Sequence, residues 1–214
     1  MVATTSSAPR LSISQSLGAQ RQQKRLALMP FIPAGYPNLQ TTRLILPALQ
    51  QNGAAMVEVG IPFSDPIADG PTIQQAFTDA LASKLKLSQV FQTIAQARPT
   101  VRIPLVAMVS YSIVYRHGPQ RFAQEAREAG FDGLILPDLP PPEADQVCDL
   151  VRSAGLDTIL LVSPTTSPQR RQQIVRLCSG FVYYLSVSGI TGERDRLPPD
   201  IEANLKQLRD LTDL

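Results

Sequence analysis

Short apolar runs that alternate with helical segments most constrain what this chain can fold into. Leu26 to Ile32, the Ala54–Val57 run with Glu58 inside it, Ile103 to Val109, Gly133 to Leu136, Thr158 to Val162 and Phe181 to Ser186 each read as a strand. Between them, apolar residues recur at helical spacing over 39–51, 71–82, 88–97, 120–129, 142–154, 167–178 and 199–214. A short amphipathic helix over 14–25 precedes the first strand, and residues 1–13 read as a disordered tail. Six strands alternating with helices predict βαβ units and a parallel sheet, hence an α/β domain over 14–214. The continuous apolar run Leu26–Ile32 predicts a strand buried on both faces. On pattern alone, six units suit an open doubly wound sheet; a closed (β/α)8 barrel needs eight and typically ~250 residues.

Proline placement marks one end of that sheet. Pro33, Pro37, Pro62, Pro66, Pro137, Pro140, Pro164 and Pro168 all fall just after predicted strands. Stiff loops at the carboxyl ends of parallel strands are where α/β folds place their sites. Prolines also gather in any loop, but the helix-to-strand loops carry few of them.

Charge excludes some functions. The chain has 20 Lys+Arg against 18 Asp+Glu, a net charge of +2, which argues against a dedicated nucleic-acid binder. Cys148 and Cys178 show no metal-ligand spacing and read as small buried hydrophobes on helices. No apolar run approaches the ~18–20 residues that cross a membrane, so a cytoplasmic protein is the expectation. The Ser/Thr-rich, acid-poor residues 1–10 have the flavour of a plastid transit peptide but are short for that role.

Within this frame Glu58 stands out. It is the first acidic residue of the chain and lies inside a buried strand, where a carboxylate is costly unless paired or neutralised. Pro62, Pro66 and Pro71 stiffen the loop that follows, and Asp69 sits just before Gly70-Pro71, a helix start. Two readings fit. Glu58 and Asp69 face one cleft as a general acid/base pair with separated pKa values, or Glu58 is a satisfied core residue and the aspartates form turns.

The whole stretch Glu58-Val59-Gly60-Ile61-Pro62-Phe63-Ser64-Asp65-Pro66-Ile67-Ala68-Asp69-Gly70-Pro71-Thr72-Ile73-Gln74 closely resembles the signature of the tryptophan synthase alpha subunit family. The resemblance runs from about Ser14 to Leu214. It implies a (β/α)8 TIM barrel, and a lyase cleaving indole-3-glycerol phosphate to indole and glyceraldehyde 3-phosphate without a cofactor. By match to the motif, Glu58 is the general acid/base and Asp69 steadies the indole nitrogen. Phe31 matches the aromatic that packs on the indole, and Tyr183 a tyrosine lining the site. Asp138, in Leu136-Pro137-Asp138-Leu139-Pro140, matches an aspartate expected to brace loops. Thr191 and Gly192 match a mobile loop, where Thr191 orients Asp69 and the Gly192 N–H meets the substrate phosphate. A pyridoxal phosphate-containing beta subunit is the implied partner, in an α2β2 tetramer.

The sequence departs from the family pattern in places. Ser110-Tyr111-Ser112 stands where Tyr-Tyr-Asn is common, and Pro33 replaces a common Thr. The family continues into a seventh and eighth βα unit, which this sequence lacks, so the expectation is a barrel truncated after about six units. The competing readings are a non-catalytic module docking the beta subunit, and a free-standing indole-releasing lyase. His117, the only histidine, reads as a surface-loop residue.

Overall fold

The computed structural model of the chain describes residues 10–66, 69–186 and 198–214. Its elements in chain order are α1 (Ile13–Gln22), β1 (Phe31–Pro33), α2 (Leu39–Gln51), β2 (Val57–Gly60), α3 (Pro71–Ala82), α4 (Leu87–Ala97), β3 (Leu105–Met108) and α5 (Tyr111–His117). They continue with α6 (Pro119–Ala129), β4 (Gly133–Ile135), α7 (Pro141–Ser153), β5 (Asp157–Ile159), β6 (Leu161–Val162), α8 (Pro168–Leu177), β7 (Tyr183–Tyr184) and α9 (Ile201–Arg209).

The sheet is parallel throughout, in the order β1-β2-β3-β4-β5, with β6 and β7 paired separately. These are successive staves of one arc. The stretch 157–162 pairs with β4 through Asp157–Ile159 and with β7 through Leu161–Val162. The single strand expected over 158–162 is therefore divided at Leu160 between two neighbours.

Side-chain alternation along each strand sorts the core into two parts. Val57, Val59, Leu105, Ala107, Leu134, Leu160 and Val162 join the large cluster shared with the helices. Met56, Val106, Ile135 and Ile159 form a second cluster with Ile13 of α1, and Met108, Leu161, Phe181 and Tyr183 pack against it. This second cluster is the inner, concave face of the arc. α1 plugs its amino-terminal end: Ile13 is fully buried, and the Ser16 hydroxyl donates to the Ala55 carbonyl at 2.6 Å. Burying Ile13 contributes roughly 1.5–3 kcal/mol.

Local chemistry explains most element ends. Asn38 caps α2 by accepting from the Thr41 N–H at 2.8 Å. Pro71 opens α3 behind Gly70, and Gly130 ends α6 in the left-handed region at φ 103°.

Four expectations need correction. The disordered tail expected over residues 1–13 does not reach that far: Arg10 pairs with Asp132 at 3.0 Å, Ser12 caps α1 and Ile13 is in its first turn. The first strand is shorter and less buried than Leu26–Ile32 implied: Leu26 is 97% and Leu28 60% exposed. The reason is that β1 has one strand neighbour, β2, among the described residues. Tyr111–His117 forms a helix beyond those the sequence spacing predicts, capped by Ser110, whose hydroxyl accepts from the Ser112 N–H. His117 ends that helix instead of lying in a loop, and its Nε2 meets Glu125 Oε2 at 2.8 Å.

A candidate active site at the carboxyl ends of the strands

Glu58 lies at the centre of β2, in register with Phe31 of β1 on one side and Val106 of β3 on the other. Register partners on neighbouring strands share a face, and Val106 belongs to the inner cluster, so Glu58 points inward. The carboxyl is 3% exposed, and no hydrogen bond among the described residues reaches it. Burial penalises its charged form and pushes its pKa up to about 7. At neutral pH such a group both gives and takes a proton.

Tyr183 reaches the same space from the far side of the arc. It pairs with Leu161 in register and is half-buried against the inner cluster. Its hydroxyl pKa is pushed up to about 12, first by burial and then by the charge of Glu58. Tyr184, the next residue, packs against the outer cluster. Of the two adjacent tyrosines, one enters the concave face.

Phe31 forms the wall beside Glu58. Its ring lies 6.4 Å from that of Phe77, tilted by 57°. Gly60 makes this placement possible, because a methyl group there would stand 2.4 Å from Phe31 Cζ and 3.2 Å from Phe77 Cζ. Met108, opposite Gly60 on β3, continues the same apolar lining.

Asp69 follows β2 on the loop that leads into α3. It is half-buried, and desolvation raises its pKa above the usual aspartate value. The turn carrying it is closed by the Asp69 N–H donating to the Pro66 carbonyl at 3.1 Å. The Gln74 side-chain amide donates to the Pro66 carbonyl at 3.2 Å and to the Asp69 carbonyl at 2.8 Å.

Asp138, past the end of β4, ties two of the loops at this end together. Its carboxylate accepts from the Ser110 hydroxyl and from the Tyr111 N–H, each at 2.7 Å, while the Tyr111 hydroxyl donates to Glu143. Ser110 and Ser112, which depart from the family pattern, hydrogen-bond to each other at 2.8 Å. Thr191 and Gly192 lie outside the described residues.

Phe31, Glu58 and Tyr183 thus share the inner face, and Asp69 and Asp138 occupy loops at its carboxyl-terminal end. Met108, Leu161 and Gln74 were not predicted as site residues. The first two are visible only once register is known, and the third only once the loop's carbonyls are placed. A cavity of about 780 Å³ at the opposite end, lined in part by Arg10, Arg127, Asp132 and Asp157, contains none of the predicted site residues. Among the described residues, no group of three His, Cys, Asp or Glu side chains is placed to hold a metal ion.

Comparison with known proteins gives a consistent result. Residues 17–214 match the family model described as tryptophan synthase alpha chain. The chain is 45% identical over 209 residues to the tryptophan synthase alpha chain of Rhodopirellula baltica, covering 96% of this chain and 74% of that one. It is 41% identical over 199 residues to that of Prochlorococcus marinus strain NATL1A, covering 93% and 75%. Among solved structures it is similar to tryptophan synthase from Mycobacterium tuberculosis, at a TM-score of 0.86 and 32% identity, covering 97% of this chain and 79% of that chain. It is also similar to a mutant alpha-subunit from Pyrococcus furiosus, at a TM-score of 0.80 and 33% identity, covering 87% and 75%. The parallel arc and its helices are of the α/β class of these TIM-barrel chains.

Proposed function

The chain belongs to the tryptophan synthase alpha chain family, and on that premise we propose that Glu58 and Asp69 are its catalytic pair. The family is a lyase that cleaves indole-3-glycerol phosphate in tryptophan biosynthesis. The observation that carries the assignment is the inward-facing, buried Glu58, without a hydrogen-bond partner among the described residues, whose pKa of about 7 suits acid/base work near neutral pH.

The chemistry follows from that setting. Protonated Glu58 gives its proton to C3 of the indole ring, and the resulting carboxylate takes the proton of the hydroxyl next to the scissile bond. The C–C bond then breaks as the hydroxyl carbon becomes the aldehyde of glyceraldehyde 3-phosphate, and the electron pair returns to the ring to leave indole. Positive charge develops at the indole nitrogen during C3 protonation, and Asp69 stabilises it across the N–H. The step consumes no cofactor. Phe31 and Met108 supply apolar surface for the ring, and Tyr183 borders the reacting carbons. Thr191 and Gly192 orient Asp69 and receive the phosphate.

We assign Asp138 a bracing role, supported by its two bonds to the β3–α5 junction. We read the segment from α1 to Leu214 as one barrel domain, working beside a beta subunit that carries pyridoxal phosphate and consumes the indole. The test is to supply indole-3-glycerol phosphate to the purified protein and follow indole, with and without a tryptophan synthase beta subunit. Indole release that rises with the beta subunit supports both assignments; substrate left intact under both conditions overturns the lyase.

A further inference from the structure

We propose that Gln74 is a positioning residue for Asp69: its side-chain amide holds the turn that carries the carboxylate. The proposal rests on the assignment of Asp69 to catalysis and adds to it the element that fixes where Asp69 stands.

Gln74 lies in the first turn of α3, and its own N–H donates to the Gly70 carbonyl at 3.0 Å, so the residue is anchored on the helix. From there the carboxamide extends back over the loop. One nitrogen serves two acceptors, the carbonyls of Pro66 and Asp69. Those carbonyls belong to the two residues that one backbone hydrogen bond joins. The Pro66 carbonyl also accepts from the Asp69 N–H, so both partners of Gln74 belong to one hydrogen-bonded unit. A carboxamide has two N–H donors in a fixed plane, which lets one side chain grip two acceptors at once.

Such a clamp has a catalytic consequence because Asp69 is on a loop and not on a strand. Glu58 is fixed by the ladder of β2, but Asp69 has no comparable support; its side chain has no hydrogen bond to another described residue. Among the described residues its position is set by the backbone on either side of it, which Gln74 ties to α3, beside the orienting role proposed above for Thr191. A reacting group displaced by about 1 Å loses on the order of 100-fold in rate.

Gln75 provides an internal control. It is the same residue type one position on, it is exposed, and its amide donates to Asp79 along the helix surface at 2.8 Å without touching the loop. The contrast separates the clamp from any general effect of a glutamine in α3.

The experiment compares Gln74→Met, which keeps the length of the side chain and removes both donors, with Gln75→Met and wild type. Each is also made in an Asp69→Asn background. Steady-state indole release gives kcat and KM, and thermal unfolding confirms the fold. We expect Gln74→Met to lower kcat by about tenfold or more with KM changed by less than about threefold, and Gln75→Met to stay within about twofold of wild type. In the Asp69→Asn background, Gln74→Met should change kcat by less than about twofold, because the group it positions is gone. Gln74→Glu, which keeps the shape but turns oxygen toward the two carbonyls, should lose as much as Gln74→Met and serves if the latter fails to fold. Wild-type kcat in both Gln74 variants, or an equal loss in both backgrounds, overturns the proposal. If Asp69→Asn itself keeps wild-type kcat, the catalytic assignment of Asp69 falls. Carboxyl-carbon NMR titration of Asp69 then decides the positioning: a pKa lowered by Gln74→Met supports it, and an unchanged titration overturns it.

Discussion

Glu58 and Tyr183 face one space although β2 and β7 stand at different parts of the arc: burial first, and then the charge of Glu58, hold the tyrosine hydroxyl above its ordinary pKa. The curvature of the parallel sheet brings them to one space, since inward-facing positions on separated staves converge. The same geometry leaves Glu58 away from water and from any hydrogen-bonding partner among the described residues.

That isolation predicts a pH dependence of stability. The carboxyl titrates near the ordinary glutamate value of 4.5 when unfolded and at about 7 when folded. Between those values the folded state holds a proton that the unfolded state has lost, so stability falls as pH rises and levels off above about 7. The contribution is about 3 kcal/mol across that window. Urea unfolding of wild type and Glu58→Gln at pH 5 and pH 8 checks it. The variant should lose less stability than wild type between the two values, and an identical difference would place Glu58 in a wetter setting.

Gly60 is predicted to be intolerant of even a methyl group. Gly60→Ala must displace the Phe31 ring, because the added carbon would overlap Phe31 Cζ. Overpacking of this kind costs about 1–3 kcal/mol, and KM should rise several-fold as the apolar wall moves. Phe31→Leu in the same chain should relieve part of the destabilisation. Equal unfolding midpoints for Gly60→Ala and wild type would contradict the contact.

The Arg98–Asp132 pair at the other end of the arc is predicted to serve stability alone. Arg98 Nη2 meets Asp132 Oδ2 at 2.7 Å with both side chains buried, and the same oxygen accepts from the Leu105 N–H at 2.9 Å. Asp132→Ala leaves a buried guanidinium without its partner, which typically costs about 3–5 kcal/mol. Denaturant unfolding should show that loss, while kcat at a temperature where the variant is folded stays within about twofold of wild type.

Much of this was legible in the residues themselves. Asn38, Pro71 and Gly130 mark element ends through local chemistry, and each acts where expected. Glu58 announced itself as an acid inside an apolar run. What the pattern lacked was neighbours. Leu26 and Leu28 carry the apolar character of a buried strand, yet burial depends on what lies beside β1, which periodicity does not encode. α5 escaped because Tyr-Ser-Ile-Val-Tyr is poor in strong helix formers; its cap at Ser110 and the burial of Tyr111 and Val114 offset that. Met108 and Leu161 join the site lining only through strand register. Gln74 matters only because two carbonyls of a folded turn lie within reach of its amide.

The measurement that bears most directly on the account is the rate of indole release from indole-3-glycerol phosphate by Glu58→Gln, set against wild type at pH 7. The substitution keeps the shape of the side chain and removes its proton chemistry. A loss of about 100-fold or more in kcat, with the fold retained, is the predicted result. A variant that releases indole within a few-fold of the wild-type rate contradicts the assignment of Glu58 as the acid and base.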